Sequence, residues 1–128
     1  MEDLSDFAEL GAVVQFDLFG FESYLQPFTF PNDSQRIDMI QHLMDDKKID
    51  KILASSDIHT KHSLVSQELK IVDKFTWANS WPFLQEKYGG RGYKYVIKYA
   101  TALMKHKGMT ETDIQQIFVQ NPANIFPF

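Results

Sequence analysis

The chain has 128 residues, a formal net charge of −4, no cysteine, and 44% hydrophobic residues including 11 phenylalanines. That scale predicts one domain with a buried core; it rules out disulfides and thiolate metal sites, and the lack of a basic stripe argues against nucleic acid or an anionic membrane as partner. The acidic start MEDLSDFAEL lacks the basic-then-apolar order of a secretion signal, and no apolar run nears the ~20 residues of a membrane span, so the expectation is a soluble, cytoplasmic chain.

Residues 2–10 read as the last turns of a helix with Leu4, Phe7, Ala8 and Leu10 on one side, closed by Gly11 at a C-cap position. AVVQFD, residues 12–17, is a β-branched strand ending in Asp17, followed by LFGF and a loop holding Pro27 and Pro31. QRIDMIQHLMDD then places Ile37, Ile40, Leu43 and Met44 on one stripe of an amphipathic helix, with Asn32, Asp33 or Ser34 as its N-cap. KILASS, from Lys51 to Ser56, is the second strand, and the order strand, helix, strand predicts a parallel crossover.

Residues 63–86 give no clean pattern, although VSQELKIVDKF has helical character and both tryptophans, Trp77 and Trp81, follow it. After YGGRGY a helix carries Val96, Ile97, Ala100, Leu103 and Met104 and ends at Gly108. Thr110 and Asp113 have the spacing of a capping box ahead of Ile114, Ile117 and Phe118, and Asn121 with Pro122 reads as the cap and first position of a last turn. Two parallel strands leave both edges open and need cover on both faces, so this α/β pattern belongs inside a larger sheet or barrel.

The carboxyl ends of parallel strands are where α/β folds place chemistry. Asp57 follows the second strand directly; its carboxylate suits a divalent metal or a proton, or, the reading spacing alone favours, a loop cap. His59 shares a face with it in an extended segment, and Asp17 ends the other strand on the same rim. Arg36 lies in the helix between them, either paired with a carboxylate or, the favoured reading, in solvent. GGRG, Gly89 to Gly92, reads as a hinge rather than an anion cradle, and His42 and His106 as structural or solvated helix residues. No H-x-H or H-E-x-x-H is present to complete a zinc site.

The runs ELGAVVQFDLFG, RIDMIQHLMDD, IDKILASSDIHTK, YGGRGYKYVI and GMTETDIQQIFVQNPANIF, in this order and spacing, resemble the C-terminal portion of the phosphotriesterase family, in particular its animal phosphotriesterase-related branch. The resemblance implies α/β architecture as the C-terminal two β/α units of a (β/α)8 TIM barrel, incomplete on its own because such a barrel needs ~250 residues. It further implies a zinc-dependent hydrolase acting on a small-molecule ester or N-acyl amide through a metal-bound hydroxide. Asp57 would be both metal ligand and catalytic proton acceptor of a binuclear Zn2+ centre, whose other ligands belong to strands not present in this chain. Residues 1–128 would thus be one C-terminal part of a hydrolase domain, with an insertion at 65–85 where relatives pass almost directly from HTK to YGG. The alternative is a catalytically inactive fragment or partner-binding remnant.

Overall fold

A computed structural model of the chain describes residues 2–20, 31–56 and 94–126. The connection bearing Asp57 and His59, the segment 65–85, both tryptophans and the GGRG turn lie outside the described residues.

Helix α1 spans Glu2–Glu9 and turns off at Gly11, whose φ of 93° is the left-handed geometry a glycine permits. The Gly11 N–H reaches the Ala8 carbonyl at 3.1 Å and the Ala12 N–H reaches Phe7 at 3.0 Å, the paired bonds of a Schellman cap. Ala8 is buried and Leu4 packs beside it, whereas Phe7 and Leu10 are 59% and 85% exposed. The expected four-residue stripe is therefore only the i, i+4 pair Leu4–Ala8, since Leu10 lies in the turn beyond the helix.

Strand β1, Val14–Phe16, pairs in parallel with β2, Ile52–Ala54, in the register Val14 to Ile52, Gln15 to Leu53 and Phe16 to Ala54. The crossover between them is helix α2, Asp33–Asp45, followed by a 3-10 turn at Ile49–Lys51. Asn32 is the N-cap: its side chain accepts from the Gln35 N–H at 2.8 Å while the Gln35 side chain accepts from the Asn32 N–H at 2.8 Å. Ile37, Ile40 and Leu43 are fully buried, as their spacing predicts.

The C-terminal part starts with a wide π-helical turn, Val96–Ala100, that continues into α3, Thr101–His106. Val96, Ala100 and Met104, four apart, face inward, but Ile97 is 75% exposed rather than part of the stripe. A second Schellman cap at Gly108 leads to Thr110, whose hydroxyl accepts from the Asp113 N–H. Helix α4, Glu111–Gln115, passes through another π-helical turn, Gln116–Gln120, into α5, Asn121–Ile125, without leaving helical geometry. Asn121 is accordingly no cap: at φ −63° and ψ −48° it sits inside the helix, buried.

Phe16, Phe19, Ile52, the α2 stripe, Met104, Ile114 and Ile117 close one apolar cluster around the strands. Among the described residues no helix is long and apolar enough to cross a membrane.

Candidate functional site at the strand ends

The ladder continues one step past both strands. The Ser55 N–H donates to the Phe16 carbonyl at 2.9 Å, and the Phe19 N–H returns to the Ser55 carbonyl at 3.2 Å. Between these bonds the Ser55 hydroxyl donates to the Asp17 carboxylate at 2.5 Å, and the Gln15 amide donates to the same Oδ1 at 2.7 Å. Asp17 is half-buried, and its carboxylate is bonded to the end of β2. The two strand ends are thus one rim, joined side chain to side chain.

The turn after β1 holds an unfavourable backbone. Leu18 has φ 65° and Gly20 φ 90°; a branched side chain rarely occupies this region, so surrounding contacts must maintain it. At Gly20 no other residue fits, because a Cβ would lie 2.7 Å from the ring of Tyr95. The Gly20 N–H faces the Asp33 carboxylate, 3.1 Å from each oxygen. Asp33, only 1% exposed in the first turn of α2, also accepts from the Tyr95 hydroxyl at 2.7 Å and from Arg36 at 3.3 Å. The Arg36 guanidinium lies 5.9 Å from the centre of the Phe19 ring, a cation–π distance.

Arg36 therefore departs from its favoured solvent reading: it is 5% exposed and paired with Asp33. Burial of this charge is tolerable because the carboxylate three residues earlier compensates it and aromatic carbon covers it. The signal was present in the spacing, since Asp33 falls four residues before Ile37 and Arg36 four before Ile40, on the buried stripe. Tyr95 and Ser55 carried no comparable signal. His42 and His106 are partly or fully exposed on their helices, as expected.

Among the described residues no three side chains of His, Asp or Glu come together as a metal cage. No buried side-chain nitrogen or oxygen among them lacks a hydrogen-bond partner. The Asp33 cluster is thus occupied by its own donors and holds backbone, while the Asp17–Ser55 pair joins the two strand ends.

These features define an α/β chain whose parallel crossover gathers two strand ends on one rim. The sequence profile of the Phosphotriesterase family matches residues 1–71, more than half of the chain, and the chain belongs to that family. It is 36% identical to the phosphotriesterase-related protein of Drosophila ananassae, with 100% of this chain covering 32% of that protein. It is 30% identical to the N-acetyltaurine hydrolase of Danio rerio, covering 98% of this chain and 31% of the relative. The crystal structure of the phosphotriesterase homology protein from Escherichia coli, complexed with phosphate in its active site, superposes with a TM-score of 0.68 at 24% identity, over 96% of this chain and 33% of that one. The chain spans about a third of the length of the curated relatives it matches. That share agrees with the C-terminal portion expected from its motifs.

Proposed function

We propose that the chain supplies the last two β/α units of a cytoplasmic (β/α)8 hydrolase of the phosphotriesterase family, acting on a small N-acyl amide or ester. The observation that carries this reading is the joined rim: Ser55, two residues before Asp57, is bonded to Asp17 at the end of the neighbouring parallel strand. Asp57 would then stand at the carboxyl end of a barrel strand, where barrels place catalytic groups. In this reading Asp57 holds divalent metal, with zinc the expected ion, and accepts a proton during hydrolysis. The bound metal would supply water of lowered pKa. In this reading the remaining ligands would belong to the rest of the barrel. The amide preference is supported by the relative named N-acetyltaurine hydrolase. The segment 65–85 is an accessory insertion in the strand-to-helix connection.

A second reading is a catalytically inactive fragment or partner-binding remnant, favoured by one observation: the chain spans about a third of the length of its relatives. One assay separates the two. The protein expressed from its own reading frame is tested for release of acetate from N-acetyltaurine, alongside Asp57→Asn. Turnover that falls at least about a hundredfold in Asp57→Asn supports the hydrolase. Near-normal turnover in that variant returns Asp57 to a loop cap, and no turnover in the parent favours the inactive remnant.

A further inference from the structure

We infer that Asp33 and Tyr95 are positioning residues for the end of β2, acting through the turn Asp17–Gly20. The path is continuous. The Tyr95 hydroxyl donates to Asp33 at 2.7 Å, and the Asp33 carboxylate receives the Gly20 N–H at 3.1 Å. One residue back, the Phe19 N–H holds the Ser55 carbonyl at 3.2 Å, and three residues back Asp17 holds the Ser55 hydroxyl at 2.5 Å. Ser55 is thereby gripped at its N–H, carbonyl and hydroxyl, each time by a residue of β1 or its turn.

Three observations separate this from ordinary packing. The turn contains Leu18 at φ 65°, a conformation leucine does not hold unaided, and outliers of this kind cluster where a site requires a set geometry. The Tyr95 ring leaves no space for any side chain at Gly20, so turn and tyrosine are fitted to each other. Asp33 is a buried carboxylate whose bonds reach a turn, a helix and the segment returning after β2, rather than one element. The connection from β2 to α3 is therefore held at both ends by the same turn: at Ser55 where it leaves and at Tyr95 where it returns. The functional consequence rests on the reading of Asp57 given above, because Asp57 is the second residue beyond Ser55.

The test uses site-resolved amide hydrogen exchange on the full chain, with Tyr95→Phe as probe. This change keeps the ring against Gly20 and removes the hydroxyl that donates to Asp33. Exchange is expected to accelerate at least about tenfold at Gly20, Phe19 and Ser55, while Leu43 and Ile117 stay within about twofold, the pattern of a local opening rather than a global one. No acceleration at Ser55, with Leu43 and Ile117 still protected, overturns the inference. Should Tyr95→Phe lose the protection of Leu43, Ser55→Ala reads the same path from its other end. Coupling is reciprocal, so Gly20 must then accelerate, and an unchanged Gly20 also overturns it. Catalysis is not the readout. Coupled exchange together with an active Asp57→Asn would keep the positioning role and discard the role of Asp57; uncoupled exchange with an inactive Asp57→Asn would do the reverse.

Discussion

Helix α2 and the helical stretch from Glu111 to Ile125 begin alike and are completed differently. Both open on a capping box, Asn32 with Gln35 in one and Thr110 with Asp113 in the other. From there α2 runs regularly for 13 residues and buries Ile37, Ile40 and Leu43. The second stretch widens at Gln116–Gln120 and delivers a polar residue, Asn121, into the core. Its amide donates to the Ile49 carbonyl at 2.6 Å and the Ile52 carbonyl at 2.7 Å, and its oxygen accepts from Gln116 at 2.7 Å. Pro122 explains where the wide turn falls: it has no N–H for the carbonyl four residues back, and a five-residue turn absorbs the gap. Both helices add apolar volume to the core around the strands, and the second also places a polar anchor on the backbone that enters β2.

The largest effect is expected from breaking that anchor. Asn121→Leu leaves the part-buried Ile49 carbonyl and the buried Ile52 carbonyl without this donor, and a fully buried loss costs about 1–3 kcal/mol. A total near 3 kcal/mol is expected in urea denaturation, against about 1 kcal/mol for Ile40→Val in the regular helix. If the asparagine change costs no more than the valine change, the contrast between the two helices is wrong.

The same contrast explains what the sequence made legible. The α2 stripe, the glycines at 11 and 108 and the Thr110 capping box follow from one-dimensional spacing, so periodicity finds them. The parallel crossover followed from strand, helix, strand order. The Asn-Pro pair predicts a cap at Asn121, because it usually starts a helix; only a wide turn, which periodicity does not encode, places Asn121 inside. Regular spacing likewise puts Ile97 on the buried face, whereas a π-helical turn over Val96–Ala100 alters the phase of the stripe. The rim was half legible. Asp17 could be placed at a strand end, but its partner Ser55 comes from a strand 38 positions away, and tertiary pairing of that kind leaves no local trace. Asp33 and Arg36 announced their burial by sharing the stripe, although charge alone argued for solvent.

Helix ends sharpen the comparison at smaller scale. Helix α2 closes with the same two Schellman bonds as α1 and α3, Lys47 N–H to Met44 at 2.9 Å and Lys48 N–H to Leu43 at 2.8 Å. Yet its left-handed position, φ 61°, is occupied by Lys47 where the others have glycine. Lys47→Gly removes a Cβ penalty and should stabilise the protein by about 1 kcal/mol, a rise of about 4 °C in the melting midpoint. Gly108→Ala should move it the other way by a similar amount. Nothing lies within 4 Å of a Cβ built there, so the cost is purely conformational. Equal melting of Lys47→Gly and parent would show that the α2 terminus is set by its packing rather than by its dihedral.

The smallest effect concerns the joint between α3 and α4, where Lys105 and Glu111 form an exposed ion pair at 2.5 Å. The Lys105 ammonium, by its hydrogen bond and then by its charge, holds the Glu111 carboxyl below its ordinary value. A carboxyl lowered in the folded state binds its proton more readily when unfolded. Its contribution is therefore fully present above the unfolded value, about 4.3, and is lost as pH falls through the lower folded value. Glu111→Gln should flatten the acid limb of the stability curve slightly in that window and leave neutral pH almost unmoved, because exposed pairs are screened by solvent. The difference between variant and parent should shrink further in 1 M salt, where the Debye length is only about 3 Å. Thermal melts from pH 6 down to pH 3, at low and high salt, test this. A difference that survives high salt would mean that Glu111 holds the joint by something other than charge, and that the C-terminal stretch has a second anchor besides Asn121.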